Sequence, residues 1–480
     1  YGTLSVHGTI SRQFYPFIYS KPMNALPLFS VSLVLLLLSV MSLPAQEQQL
    51  PRKPFLGVQI QTLTEALQQQ YNLPSGTGVL VTGVIDKTSA QIADLRRNDI
   101  IVSLNGTAVR DVPQFLSLLS VYNTGDRLTF SLQRDSSRIV KIVELQPRPR
   151  EQYKGVEVVY GTVVSGKNLL RTIFTKPTST NAPVPVLYIL QGVDCSSVDS
   201  PFSPDNTYTR LVQYFSEKGF ATFRVEKSGV GDSSGEPCVN MDFVTETRGF
   251  IDGLHYLKNI PSIDTNNVYL IGLSLGGITA PILASQEEVK GIVVYGTVLR
   301  PWSEYMLENM RRQSLLGGED YATVETQSKQ LAEAFHYIFA DTLSPEETRS
   351  RYPELADIIT SYLIHGSPAD RPYYIAGRHY TFMRQLYETN IAEYWKKVKA
   401  RVLVVWGKGD YVSDPDDHTM IVELINNYRP GKATYAEINA DHWFGTASSL
   451  QQSFRSTGSK VLPFTTEILP LIDTWIQSAT

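Results

Sequence analysis

The sequence predicts an α/β fold: a mostly parallel eight-stranded sheet with flanking helices and a helical cap insert, preceded by a small α+β module. Three observations lead there. From residue 156 to the end, short β-branched runs alternate with helical stretches, and parallel neighbours need crossover connections of that kind. Residues 56–145 carry five short strand-like runs punctuated by turn signals and only two helical stretches. The linker Gln146-Pro147-Arg148-Pro149-Arg150 divides the two patterns.

The 480 residues point to two to four domains at roughly 100–200 residues each. Hydrophobic residues at 42% and charged residues at 19% fit globular domains and exclude a disordered or collagen-like chain. The 43 Lys+Arg against 47 Asp+Glu, with no long basic run, argue against a nucleic-acid partner, because no cluster of cations could neutralise a phosphate backbone. Two cysteines exclude a disulfide scaffold and a multi-cysteine metal site, though one bridge is compatible with them.

Residues 26–43 are strongly apolar around Leu33-Val34-Leu35-Leu36-Leu37-Leu38, but Pro27, Ser30, Ser32, Ser39 and Ser42 interrupt them short of the roughly 20 residues that span a bilayer. A secretory signal over 23–45 fits better, with Met23 as the start and Ala45 before the polar Gln46-Glu47-Gln48-Gln49. Residues 1–22 then count as an upstream segment outside the fold reasoning. The expected location is periplasmic or extracellular, the alternative being an uncleaved N-terminal membrane anchor.

The first module reads as strands at 56–61, 78–84, 100–104, 127–133 and 139–145, with helical stretches at 90–95 and 113–122. Phe55-Leu56-Gly57-Val58, Gly78-Val79-Leu80-Val81 and Asn98-Asp99-Ile100-Ile101-Val102-Ser103-Leu104-Asn105-Gly106 make residues 54–147 resemble a PDZ domain of the kind appended to HtrA-type exported proteases. The resemblance implies a carboxylate-binding loop at Phe55, Leu56, Gly57 and Val58, whose backbone amides hold a peptide C-terminus while the next strand pairs with the peptide. C-terminal peptides of other proteins are therefore expected partners; with the groove empty or filled by this chain itself, the module would be a spacer. Asp94 and Asn98 stand where glycines are usual in that family. Asn tolerates the left-handed conformation better than Asp, so the helix end near Leu95 is expected to differ.

The second part, 151–480, reads as strands at 156–163, 169–175, 184–190, 221–225, 267–271, 291–295, 402–406 and 434–438. Helices are expected at 207–218, 242–258, 277–284, 416–427 and 464–477. Two stretches match Gly-x-Ser-x-Gly, a match that composition alone produces in roughly one chain in seven of this length, so context decides. Gly231-Asp232-Ser233-Ser234-Gly235 runs into Glu236-Pro237, where helix entry is awkward, and reads as a loop. Gly272-Leu273-Ser274-Leu275-Gly276 follows the apolar run Val268-Tyr269-Leu270-Ile271 and opens a helical stretch, the strand, sharp turn and helix of a nucleophile elbow.

A serine nucleophile needs a base and a carboxylate that orients it, in chain order Ser, acid, His for this context. Asp410 ends the buried strand of 402–406 through Gly407-Lys408-Gly409, and His442 lies in the loop after the strand of 434–438. Ser274, Asp410 and His442 form the candidate triad, with Asp414, Asp416 and Asp417 as fallback acids and Asp441 poorly placed to bond the adjacent ring. A lone serine after a strand is ordinarily a turn residue, and most of the seven histidines are expected at the surface or satisfied in the core; the ordered coincidence of all three residues carries the assignment.

These residues resemble the α/β-hydrolase superfamily, which implies an oxyanion hole from the amides of Leu275 and of Val193 in the loop Leu190-Gln191-Gly192-Val193, where Gln191 replaces the usual histidine. The run 229–233 also resembles the superfamily's loop after its fourth strand, which accounts for the second motif. In that fold the loops carrying Cys195 and Cys238 converge near the site, so in an oxidising compartment a bridge between them would pin the pocket mouth. Residues 300–398 interrupt the alternation and are rich in aromatics; they are expected to form a helical cap whose rings are mostly its own core, with helical spacing at 327–340 and 378–387. His365 and His379 have no local support as pocket groups.

The leading expectation is an exported serine hydrolase cleaving small carboxylic esters through an acyl-enzyme, with no metal or organic cofactor. A peptidase or amidase acting on short peptides presented by the PDZ module is the second reading, and a PDZ-based scaffold with an inactive hydrolase fold the third.

Overall fold

The structure is a computed structural model that describes residues 50–71, 73–74, 76–364, 373–456 and 462–478. The expected signal sequence, the segment 1–22 and His365 lie outside the described residues. Among the described residues no helix is long and apolar enough to cross a membrane.

In the first module, β1 (Pro54–Phe55) is followed by β2 (Val58–Thr62), β3 (Val79–Val84), β4 (Ile100–Leu104), β5 (Thr107–Ala108), β6 (Arg127–Arg134), β7 (Ser137–Glu144) and β8 (Gln146–Pro147). The sheet runs β2-β3-β4-β6-β7 with β5 on β4, all antiparallel. Alternation explains the strands: Leu128, Phe130 and Leu132 of β6 point into the core while Arg127 and Thr129 face water. The helix Val112–Leu119 starts where Asp111 accepts from the Gln114 amide with Pro113 in the first turn, and Phe115 anchors it to the core. The expected helix at 90–95 is a single turn, Ser89–Ile92, because Asp94 takes φ +57° and breaks the coil. Asn98 takes φ +73° as well. Arg96 and Lys141 bond the Asp94 carboxylate and hold its pKa below the ordinary value, so the left-handed residue is pinned from both sides. A further short helix, Glu65–Gln70, is capped by Thr64.

β8 pairs with β1, so the first two of the five residues of the predicted linker are strand. These two short strands form a ribbon against the second part of the chain. Arg52 pairs with Asp199 and Asp232, the Lys53 amide donates to Asp232, and Phe55 stacks on Phe202 at 5.0 Å between ring centres.

The large sheet uses β9 (Val156–Ser165), β10 (Asn168–Pro177), β11 (Val184–Leu190), β12 (Ala221–Val225), β13 (Ile263–Leu273) and β14 (Gly291–Tyr295). A small hairpin, β15 (Tyr374–Ile375) and β16 (Arg378–His379), precedes β17 (Arg401–Gly407) and β18 (Ala433–Ile438). The eight strands are ordered β18-β17-β14-β13-β11-β12-β10-β9 and are parallel except where β10 meets β9 and β12. Helices cover both faces, which is why β11 and β14 read as almost wholly apolar runs. Tyr188 and Leu190 feed one core and Leu187 and Ile189 the other, from alternate positions of β11. The order reverses at β11, whose neighbours are β12 and β13, and the crevice at the carboxyl ends there is where such sheets hold a site.

The insert after β14 comprises the helices Trp302–Gly317, Tyr321–Phe335, Pro345–Arg351, Tyr380–Glu388 and Ile391–Lys397 around the β15–β16 hairpin. The helical stretch expected from 378 starts at Tyr380, since Arg378 and His379 pair with Ile375 and Tyr374. Phe335, Phe339, Phe382 and Trp395 are core.

Candidate active site

Ser274 follows β13 directly and holds φ +53°, a left-handed conformation that costs a non-glycine residue roughly 1–2 kcal/mol. The flanking glycines make that turn possible. A Cβ on Gly272 would sit 2.5 Å from the Gly276 carbonyl oxygen, and one on Gly276 would sit 2.2 Å from that of Leu190. The Ser274 amide donates to the Tyr295 carbonyl at 2.9 Å, fastening the turn to β14, and the helix Gly276–Ala284 leads away beneath it. A helix N-terminus under the hydroxyl favours negative charge there.

His442 Nε2 lies 3.0 Å from Ser274 Oγ, and His442 Nδ1 lies 2.9 Å from Asp410 Oδ2. Asp410 is fully buried. Its Oδ1 accepts from the Val412 and Ser413 amides, each at 2.9 Å, and its Oδ2 also accepts from Ser413 Oγ at 2.6 Å. Burial alone would raise the pKa of this carboxyl, but His442 and the Ser413 bonds outweigh it and bring it down to about 2. An ionised carboxylate only accepts, so Nδ1 carries the ring proton and Nε2 keeps a lone pair facing the serine. On His442 burial works toward a lower pKa, and the Asp410 charge overrides it to leave the pKa above the ordinary 6.5.

Two residues that complete this relay escaped the sequence reading. Gly296, with φ +62°, leaves room for it: a Cβ there would fall 2.9 Å from Asp410 Oδ2 and 3.0 Å from the imidazole. Its signal was its place, one residue past β14 at the same sheet edge. Ser413 supplies two of the four bonds to Asp410 and had no motif of its own. The other acids are engaged elsewhere. Asp414 accepts from the Asp416 amide at a helix start, Asp417 binds the Leu299 and Arg300 amides, and Asp441 binds the Trp443 and Gly445 amides.

Ser274, His442 and Leu275 line a cavity of about 590 Å³. Its apolar lining includes Ile278, Val298, Trp302 and Tyr305, the last two from the insert, and its polar lining Asp194, Ser196 and Asn206. Gly192 and Val193 also line it, with Gly192 so close to the serine that a Cβ there would be 3.2 Å from Ser274 Cβ. Neither the Val193 nor the Leu275 amide donates to another described residue. Cys195 and Cys238 are joined, Cα to Cα 5.8 Å, at the end of this loop.

The second Gly-x-Ser-x-Gly run is structural. Ser233 is buried and accepts from the Arg171 amide, while Asp232 anchors Arg52, Lys53 and Arg171. In the first module Gly57 has φ +83° with Thr88 packed where a Cβ would be. The Phe55 carbonyl accepts from Ser89 Oγ and the Leu56 carbonyl from the Ala90 amide, and the Phe55 ring stacks on Phe202. Val58 opens β2, an edge strand of its sheet. His379 bonds Thr381 and does not line the cavity. Among the described residues no cluster of side chains could hold a metal ion.

Comparisons with known proteins bear on both parts. A family model for the PDZ domain matches residues 54–143, and one for the alpha/beta hydrolase fold matches residues 185–445. A probable periplasmic serine endoprotease, DegP-like, from Chlamydia pneumoniae is 31% identical over 97 residues, 20% of each chain. Esterase EstD from Thermotoga maritima is 24% identical over 139 residues, 28% of this chain and 32% of that protein. The chain thus spans about a fifth of the protease relative and about a third of the esterase. Among solved structures, Est1E from Butyrivibrio proteoclasticus with ferulic acid bound has a TM-score of 0.41 at 14% identity, over 66% of this chain and 96% of that one. With more than half of its residues matched by the hydrolase model and a PDZ domain ahead of them, the chain belongs to the α/β-hydrolase fold family.

Proposed function

We propose that the protein is an exported serine hydrolase that cleaves carboxylic esters through an acyl-enzyme. The observation that carries this reading is the unbroken relay from Ser274 Oγ through His442 to a buried, ionised Asp410. Ser274 Oγ attacks the ester carbonyl while His442 Nε2 takes its proton. The amides of Val193 and Leu275 stabilise the tetrahedral oxyanion, and the alcohol leaves with the proton that His442 returns. Water, deprotonated by the same imidazole, then frees the acid and restores Ser274. The apolar lining at Ile278, Val298, Trp302 and Tyr305 suits a small acyl or aryl group.

The likeness of residues 54–143 to periplasmic proteases supports export and a peptide-binding role for that domain. A second reading, cleavage of short peptides, draws on the docking of the PDZ ribbon against Asp199 and Phe202, in the same connection as the cavity residues Asp194 to Ser197. A fluorophosphonate probe is expected to label Ser274 and to leave S274A unlabelled. p-Nitrophenyl acetate and butyrate should turn over faster than aminoacyl anilides. A folded wild type that takes no probe would refute the serine mechanism, and preference for the anilides would favour the peptidase.

A further inference from the structure

The loop that supplies the Val193 amide is gripped from behind by two buried cations that no sequence motif marks. Lys227, just past β12, has no exposed side-chain surface. Its Nζ donates to the Gly192 carbonyl at 2.6 Å and to the Asp194 carbonyl at 2.9 Å. Arg378, in β16 of the insert, donates through Nη1 to the intervening Val193 carbonyl at 2.9 Å. Glu246 joins the two, 3.0 Å from Lys227 Nζ and 2.6 Å from Arg378 Nη2. Arg378 is also held against the Phe382 ring at 3.8 Å from its centre. Three consecutive carbonyls therefore end on one buried charge cluster.

A trans peptide unit is planar, and its C=O and N–H point in opposite directions. Fixing the Gly192 carbonyl on Lys227 therefore fixes the Val193 N–H away from Lys227. Gly192 and Val193 line the cavity with Ser274, whereas Lys227 does not. Rotation of the 192–193 unit would exchange donor for acceptor at the place where an oxyanion forms, and would take from Lys227 Nζ one of its three buried partners, leaving it the Asp194 carbonyl and Glu246. A buried charge-assisted hydrogen bond lost with nothing to replace it opposes the rotated state.

We infer that Lys227 and Arg378, tied by Glu246, are positioning residues that lock the Gly192–Asp194 backbone with the Val193 amide aimed at the developing oxyanion, and that Arg378 makes this lock depend on the cap. The inference rests on the serine-hydrolase reading above. Its content is separate: transition-state stabilisation is set in part by side chains that touch no substrate.

The test compares K227M, R378Q and R378K with wild type on p-nitrophenyl butyrate, with rates expressed per Ser274 titrated by the fluorophosphonate. K227M is expected to lose kcat by a factor on the order of 10², approaching the loss of an oxyanion donor, and R378Q by roughly 10. KM should stay within about threefold in both variants, because ester binding before attack makes little use of this donor. R378K keeps a cation on Glu246 and should recover most of the loss. The inhibition constant of a trifluoromethyl ketone, which forms an oxyanion on Ser274, should rise by the factor by which kcat/KM falls. A merely structural role would lower the titrated fraction and leave kcat per site and the ketone affinity alone, and that result overturns the inference. Should K227M fail to fold, R378Q against R378K decides it, since Glu246 keeps Lys227 in both. A wild type that never takes the probe overturns the serine reading and this inference together; an active wild type with unimpaired variants overturns this inference alone.

Discussion

Replacing Asp410 by Asn tests the relay at the point where the structure determines the outcome most tightly. Oδ1 of Asp410 accepts from two backbone amides, while Oδ2 faces His442 Nδ1 and the Ser413 hydroxyl. An asparagine must keep its carbonyl oxygen on the amides, so its NH₂ takes the Oδ2 position and donates toward Nδ1. The imidazole then carries its proton on Nε2, which can no longer accept from Ser274 Oγ. The same substitution at the acid of a Ser-His-Asp triad costs about 10⁴ in kcat, and that is the magnitude expected for D410N. The pH profile provides a second reading of the same change. The base must be neutral, and the wild-type His442 pKa is raised because the Asp410 charge outweighs burial, so the acid limb of kcat/KM should lie above pH 6.5. Without that charge burial is opposed only by the weaker pull of the Asp441 carboxylate, and the limb should move to lower pH. Stopped-flow or plate assays of p-nitrophenyl butyrate from pH 5 to 9 on both proteins give both numbers. Activity of D410N within tenfold of wild type, or an unmoved acid limb, would show that Asp410 does not orient the base.

Two further perturbations follow from the geometry. G296A forces a left-handed alanine, at about 1–2 kcal/mol, and drives a methyl against Asp410 and His442; kcat should fall at least a hundredfold while urea denaturation shows only that modest loss of stability. Removing the Cys195–Cys238 bond as C195S/C238S releases a loop with a sequence separation of 43, which should lower stability by about 4 kcal/mol on loop-closure entropy, read as a lower urea midpoint with a steeper slope from the more expanded unfolded chain.

The sequence was most legible where one physical constraint acts locally. A fully buried parallel strand must be a largely apolar run, so β11 and β14 could be placed to the residue. A strained turn with no room for side chains must carry glycines at fixed offsets, so Ser274 could be separated from Ser233 by what precedes and follows each. The insert was less readable. Its helices are held by packing on one another and on the sheet, and an aromatic such as Phe382 carries no mark of whether it faces a cavity or a core. Asp94 misleads for a related reason: its left-handed turn is held by Lys141, 47 positions along the chain. Lys227 and Arg378 were silent because a charged residue reads as solvated until its partners are known, and theirs come from separate elements.

Whether those buried charges differ from others nearby can be argued from a second fully buried pair. Arg224 of β12 binds Glu151 bidentately, at 2.9 and 2.7 Å, and also donates to the Val198 carbonyl. Glu151 lies just after the PDZ ribbon and accepts from the Ser200 amide, so this pair fastens the start of the hydrolase part to the connection behind the cavity. Burial of such a pair gains little over apolar packing, but removing one member leaves a bare charge, so R224M should destabilise by about 3–5 kcal/mol. E151Q should cost a comparable amount: its carbonyl oxygen can still accept from Arg224 Nη1 and the Ser200 amide, but its NH₂ then faces Arg224 Nη2 and the guanidinium loses its counter-charge. The double variant should be less destabilised than the sum of the singles by about 1–3 kcal/mol, since neither charge is then stranded. None of the carbonyls that orient the Val193 amide is bonded to Arg224. Turnover per titrated Ser274 should therefore stay within about threefold in all three variants that fold, whereas K227M should lose it while folding. If R224M lost turnover per site as K227M does, the charge cluster would act through general rigidity of this end of the sheet, and the peptide-plane argument for Val193 would fail.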